Sequence, residues 1–185
     1  QWPDDAGLRL LKIQFAGELD EPPLLEEAME QAADFDDAWS WLVRARALRE
    51  IEAFDEAIEA AETALARASE TGAARDRVAP LLELARVHAA RAAAMPVNEQ
   101  RDAILRRAAE LADEARVIAP QDDEPRELLL ALHGATGPLS DAGRFRQIVS
   151  ELRQANENGR FYARLVIQDD LQNRRYELAL TRALK

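Results

Sequence analysis

Apolar residues recur at three- and four-residue spacing along most of the chain, which is the spacing of one face of an α-helix. The clearest stretch runs from Asp36 to Ser69 and predicts two helices separated by a short break at Glu52-Ala53-Phe54-Asp55. Asp36 or Asp37 is predicted to cap the first helix, because a carboxylate there accepts hydrogen bonds from the first free amides. The stripe predicted to be buried on this helix consists of Trp41, Ala45, Leu48 and Ile51.

Small residues at facing positions predict that these two helices pack closely against each other. Ala45 and Ala57 leave room for the two backbones to approach, whereas bulky side chains would hold them apart. The segment therefore predicts an antiparallel αα-hairpin. The apolar positions of its second helix are Ala57, Ile58, Ala61, Ala64, Leu65 and Ala68.

The hairpin pattern returns twice. Val78 to Ala94 and Asn98 to Ile118 read as a second pair of helices, with Asn98 as the cap of the later one. A third hairpin begins near Asp123. Ser140 is predicted to cap its second helix, whose apolar residues are Ala142, Phe145, Val149 and Leu152.

The spacing of these hairpins resembles that of the tetratricopeptide repeat family, whose unit is a helix–turn–helix of 34 residues. Ala108 and Ala142 are 34 residues apart and occupy matching places in their second helices. Within Ala38–Thr71, six residues stand where the family favours aromatic or small residues: Trp41, Ala45, Leu48, Phe54, Ala57 and Ala64. The resemblance implies an all-α fold, an α-α superhelix of about three to four helical hairpins with a C-terminal capping helix.

The resemblance also implies how one domain, residues 1–185, divides into repeats. The second unit carries about eleven extra residues between Ala85 and Ala108, and the third has Leu130 where a small residue is expected. The implied parts are a partial N-terminal hairpin (1–35), a repeat (36–71), an extended repeat (78–120), a degenerate repeat (123–156) and C-terminal capping helices (160–185).

Charge is distributed unevenly along a chain whose formal net charge is −11. Nine acids and no base lie between Lys12 and Arg44, whereas residues 144–185 carry nine Arg or Lys and five acids. The overall negative charge disfavours nucleic acid as a partner, because phosphates are repelled over most of the surface. The pattern is typical of a solvated acidic face beside a basic end; alternatively, the acidic stretch meets a basic partner or the basic end of a second copy.

The composition also bears on chemistry and location. The chain has no cysteine, which excludes disulfides, zinc–thiolate sites and thiol catalysis. No apolar run approaches the ~20 residues that span a bilayer, so direct membrane insertion is not expected. The compartment stays open, with the cytoplasm favoured over the periplasm. The chain begins at Gln1 without Met, so it reads as a processed form or as a piece of a larger protein.

No set of residues indicates an enzyme, a metal or a cofactor. The only histidines, His88 and His133, occupy the same place in their first helices, which favours a packing role. No His-x₃-His pair, glycine-rich phosphate loop or serine nucleophile elbow is present. Paired acids such as Asp36-Asp37 lie at predicted helix starts, where capping explains them. We therefore expect no catalytic residues, no metal and no cofactor.

The remaining candidate for function is the concave surface that the resemblance implies, where the first helices of successive hairpins line a groove. Arg46 and Arg86 hold equivalent places there and suit a carboxylate ligand, unless Glu50 and Glu83 neutralise them in ion pairs. Trp39 lies roughly 200° around the helix from Trp41, so it is either a binding anchor or covered by the N-terminal hairpin. The predicted groove consists of Trp39, Leu42, Val43, Arg46, Arg49, Leu82 and Arg86.

Three functions follow from this organisation. The first is an adaptor or scaffold that binds a protein partner, as a peptide or a helix, in the groove. The second is a self-assembling module, a homo-oligomer in which the basic C-terminal end docks on the acidic N-terminal region of another copy. The third is a regulatory region of a larger enzyme.

Overall fold

The computed structural model describes residue 30, residues 36–134 and residues 137–155, with side chains as far as residue 152. Residues 36–134 and 137–155 form six α-helices and one 3₁₀ helix, and no strand occurs among the described residues. The chain divides into two compact units, residues 1–119 and residues 120–185. The all-α class predicted from the sequence is therefore confirmed over the described residues.

Four α-helices of the first unit and two of the second follow the predicted hairpins closely. Three of the predicted starts, near residues 38, 99 and 124, are each found within one or two residues. The helices are α1 (Ala38–Glu50), α2 (Phe54–Glu70), the 3₁₀ helix Ala74–Arg77, α3 (Val78–Ala93), α4 (Glu99–Ile118), α5 (Glu124–His133) and α6 (Ala142–Ala155).

Local side-chain chemistry fixes the starts of α1 and α4. The Asp37 carboxylate accepts hydrogen bonds from the amides of Trp39 and Ser40, both at 2.9 Å. The Asn98 side-chain oxygen likewise accepts from the Arg101 amide at 2.8 Å. Each oxygen satisfies amides that have no carbonyl partner within the first turn. Asp37 is thus the cap of α1, and the predicted cap at Asn98 is confirmed.

The turn between α1 and α2 spans Ile51 to Ala53 and closes through backbone hydrogen bonds. The Ala53 amide donates to the Leu48 carbonyl at 2.9 Å, and Glu52 adopts a left-handed φ of 60°. Such a residue reverses the chain at the end of a helix. The chain can therefore fold back at once, and α2 begins at Phe54.

Alanines line the contacts between helices in the first unit. α1 packs on α2, α3 packs on α4, α2 packs on α3, and α1 also contacts α3. Ala45 of α1 is completely buried, as are four alanines that follow one stripe of α2: Ala57, Ala61, Ala64 and Ala68. Because a methyl group occupies so little space, helices with alanine at the contact can pack at short interaxial distance.

The stripe predicted to be buried on α1 is wrong at Ile51, which is 52% exposed. Leu42, Val43 and Ala47 are buried instead, together with Ala45. Trp41 and Leu48 are only half-buried. The prediction failed because α1 carries apolar residues around most of its circumference, so spacing alone does not choose the face that is covered.

The second unit contains α5 and α6, which pack on each other. Pro125 lies in the first turn of α5, as predicted, since a proline there removes no helical hydrogen bond. The cap predicted at Ser140 is wrong. The Asp141 carboxylate accepts from the amides of Gly143 and Arg144 at 2.9 and 3.0 Å. Ser140 lies one residue too early and donates from its hydroxyl to the Gly137 carbonyl at 2.9 Å.

Two predicted parts of the array lie outside the described residues. They are the partial N-terminal hairpin (1–35), apart from Glu30 within a helix, and the C-terminal capping helices (160–185). Most of the acidic stretch that follows Lys12 lies outside the described residues as well.

Candidate functional site

A buried carboxylate joins α1 to α3. Glu83 follows five apolar residues at the start of α3 and has an exposed fraction of 0%. Its Oε1 accepts a hydrogen bond from Nε of Arg49 at 2.7 Å, and its Oε2 accepts from Nε of Arg46 at 3.2 Å. Both arginines belong to α1. An unpaired carboxylate is costly to bury, so these two hydrogen-bonded charges are what allow Glu83 to sit inside the protein.

One further arginine, Arg86, completes this set, and Glu50 lies beside it. Nη1 of Arg86 lies 3.7 Å from Oε2 of Glu83, one turn further along α3. Nη1 of Arg49 also pairs with Oε1 of Glu50 at 2.8 Å. We call Arg46, Arg49, Arg86 and Glu83 the Glu83 cluster. Its three arginine side chains are each about a quarter exposed, whereas Glu83 is fully buried.

Arg49 is positively charged in this environment. Burial acts to lower the pKa of Arg49, but the charges and hydrogen bonds of Glu83 and Glu50 outweigh it and raise the pKa above its usual range. Arg49 therefore remains a cation at any pH at which the protein is folded.

The structure divides the seven predicted groove residues into two groups. Leu42, Val43 and Leu82 are at most 3% exposed, so their side chains belong to the core and present almost no surface to a partner. Trp39 is 36% exposed and lies two helical turns before Arg46 on the same side of α1. The three arginines meet at Glu83, which matches the ion-pair alternative left open by the sequence.

A second polar set joins the start of α1 to the end of α2. Asp36 accepts from the indole Nε1 of Trp41 at 2.7 Å and from Nη2 of Arg67 at 2.5 Å. The guanidinium of Arg44 lies 4.3 Å from the centre of the Trp41 ring, within cation–π range. These contacts hold Trp41 near the surface and give it a structural role. The Arg67 contact was missed because 31 residues separate it from Asp36.

His88 is half-buried in α3, which agrees with the packing role predicted from the sequence. Its buried Nδ1 has no hydrogen-bond partner among the described residues. Burial lowers the pKa of His88, and the charges of Arg107 and Arg91 lower it further. The folded protein therefore favours the neutral form of the His88 imidazole.

We expect the first unit to lose stability as the pH falls below about 6.5, the ordinary pKa of histidine. Below that value His88 is protonated in the unfolded chain but stays neutral in the folded chain, because its pKa is lower there, so protonation favours unfolding. Above that value His88 is neutral in both states and does not change the free energy of unfolding. Urea unfolding between pH 7 and pH 5 measures the effect. The His88→Gln variant should lose less stability over this range than the wild type, and parallel losses would contradict the assignment.

Within the described residues, no three His, Asp or Glu side chains approach closely enough to hold a metal ion. In the same part of the chain, no helix combines the length and the apolar character needed to cross a membrane. Comparison with known proteins found no matching family model, no matching curated protein and no matching solved structure.

Proposed function

We propose that this protein is an adaptor or scaffold built from tetratricopeptide-like hairpins, which binds a segment of another protein along its first helices, α1 and α3. The observation that carries the proposal is the contact between these helices through the Glu83 cluster. Together with the packing of α2 on α3, this contact is the arrangement expected when one helical hairpin stacks on the next. In such a stack the first helices of neighbouring hairpins lie side by side and provide a continuous surface.

The burial of Leu42, Val43 and Leu82 narrows the docking surface that we propose. Apolar contact with a partner then depends on Trp39, and polar contact on Arg46, Arg49 and Arg86. Tryptophan and arginine are the residues over-represented among those that dominate interface energies. Trp39 and Arg46 are seven residues apart, about 10 Å along the helix, so one short peptide segment can contact both.

Replacing Trp39 tests this function without disturbing the Glu83 cluster. We expect Trp39→Ala to reduce recovery of the bound partner at least tenfold, about 1.4 kcal/mol, since an aromatic anchor at an interface contributes this much or more. The measurement is quantitative affinity purification from the source cells with the full chain as bait.

Ile51→Ala is the matched control, because Ile51 is an exposed apolar residue at the end of the same helix but on a different face. The control should recover the same proteins as the wild type. Equal recovery with Trp39→Ala and Ile51→Ala, after circular dichroism has shown both to be folded, would contradict docking at Trp39.

A further inference from the structure

The Glu83 cluster leaves a specific set of hydrogen-bond donors unused. Glu83 engages Arg46 and Arg49 through Nε, the inner nitrogen of each guanidinium. The Nε bond is the only side-chain hydrogen bond that Arg46 makes among the described residues, so its two terminal amino groups remain for a ligand. Arg49 uses Nη1 for Glu50, which leaves its Nη2. Three amino groups on two neighbouring guanidinium groups thus have no hydrogen-bond partner among the described residues, and the side chains that carry them are about a quarter exposed.

The arrangement of these donors matches a carboxylate. The two terminal amino groups of Arg46 form one edge of a planar fork, and such an edge donates two parallel hydrogen bonds to the two oxygens of a carboxylate. The free amino group of Arg49 can supply a third. Because Glu83 already holds both side chains by Nε, less side-chain entropy is lost on binding than for free surface arginines.

The charge of the whole chain restricts what kind of anion can bind. Because this chain has a net charge of −11, it repels an extended polyanion, such as nucleic acid or an anionic membrane, over most of the length of that polyanion. A single carboxylate is affected mainly by charges within the Debye length, about 8 Å at physiological ionic strength. Among the groups named here, three positive and two negative charges lie within this range.

We infer that the donor edge formed by Arg46 and Arg49 binds an aspartate or glutamate side chain of the partner, and that Glu83 acts as the positioning residue of this site. The inference rests on the proposed function and specifies the chemistry of the bound segment: it carries an aspartate or glutamate at the position that meets Arg46 and Arg49. Glu83 does not touch the ligand. It fixes the orientation of the two guanidinium groups that do.

The test is a titration of the full wild-type chain with acetyl-Glu-Glu-amide, and with acetyl-Gln-Gln-amide as the uncharged counterpart. Nitrogen-15 NMR of the arginine Nε–H groups reports on each guanidinium separately. We expect saturable shifts of the Arg46 and Arg49 signals with the Glu peptide and at least tenfold weaker binding of the Gln peptide. Shifts no larger than that of Arg106, an exposed arginine of α4, would overturn the inference.

Two variants test the role of Arg46, and a second anion tests the preference for a carboxylate. Arg46→Gln should weaken binding of the Glu peptide at least fivefold, whereas Arg106→Gln should leave it unchanged. If Arg46→Gln does not fold, the wild-type titration decides alone. Tighter binding of inorganic phosphate than of the Glu peptide would overturn the assignment to a carboxylate. If the Glu peptide does not bind but recovery of the partner still depends on Trp39, the inference about the carboxylate is contradicted. The proposed docking function is not affected by that result.

Discussion

We expect Glu83→Gln to lower the free energy of unfolding of the first unit by about 2–3 kcal/mol. Removing one member of a buried ion pair leaves the other charges uncompensated, which costs about 3–5 kcal/mol when both are fully buried. The expected cost is smaller here because the three arginine side chains are about a quarter exposed, so water screens part of their charge. Glutamine keeps the shape of the side chain, so the change isolates the charge.

Tryptophan fluorescence during urea unfolding measures this effect in the right place, since all three tryptophans lie within residues 1–119. Glu110→Gln is the control. Glu110 is an exposed residue that pairs with Arg107 at 3.2 Å, three positions away on the same helix. Loss of such a pair should change stability by less than about 0.5 kcal/mol. Equal effects of the two substitutions would show that burial of Glu83 has no energetic consequence.

We expect a loss of similar size, about 2–3 kcal/mol, from Ala61→Leu in α2. Ala61 is completely buried in the helix that packs on both α1 and α3. Three added carbon atoms cannot fit between close-packed helices without moving a backbone or forcing poor rotamers, and overpacking of this kind costs about 1–3 kcal/mol. The upper part of that range applies because α2 has neighbours on two sides.

Ala66→Leu is the control for overpacking, because Ala66 is exposed on the same helix and leucine is nearly as good a helix former as alanine. Its effect on the free energy of unfolding should be below about 0.5 kcal/mol. If Ala61→Leu is tolerated equally well, the helices of this unit do not depend on small residues for their packing.

The helices were predictable because the information that sets them is local. Asp37 and Asn98 cap helices with their own side chains, and Pro125 fits only a first turn. Such signals depend on residues three or four positions apart and need no knowledge of the rest of the fold. Ser140 shows the limit of this method, since two neighbouring residues, Ser140 and Asp141, are both able to cap a helix.

Burial around α1 was predicted less well because it depends on what covers each face. Spacing placed Ile51 inside, and the family resemblance placed Leu42 and Val43 on the groove. In the structure Ile51 is exposed, whereas Leu42 and Val43 are buried. A helix with apolar residues around most of its circumference has several possible buried stripes. The packing of the neighbouring helices determines which stripe is buried, and the local sequence pattern carries no information about that packing.

The Glu83 cluster was only half predictable. The sequence pattern placed Arg46 and Arg86 at equivalent positions and offered Glu83 as an ion-pair partner for them. It did not predict that Arg49 also pairs with Glu83. The shortest hydrogen bond in the set, between Arg49 and Glu83 at 2.7 Å, joins residues 34 positions apart. A signal was present in the sequence, because Glu83 is the one carboxylate between Pro80 and Ala90. A charge within so apolar a segment indicates a buried partner.

The central claim is that one buried carboxylate couples the first helices of two successive hairpins, and a double-mutant cycle of Arg49→Gln and Glu83→Gln tests it most directly. Urea unfolding of the wild type, the two single variants and the double variant gives the coupling free energy. We predict a coupling of at least about 1 kcal/mol, as expected for a charge-assisted hydrogen bond in a largely buried site. Strictly additive effects of the two substitutions would contradict the account.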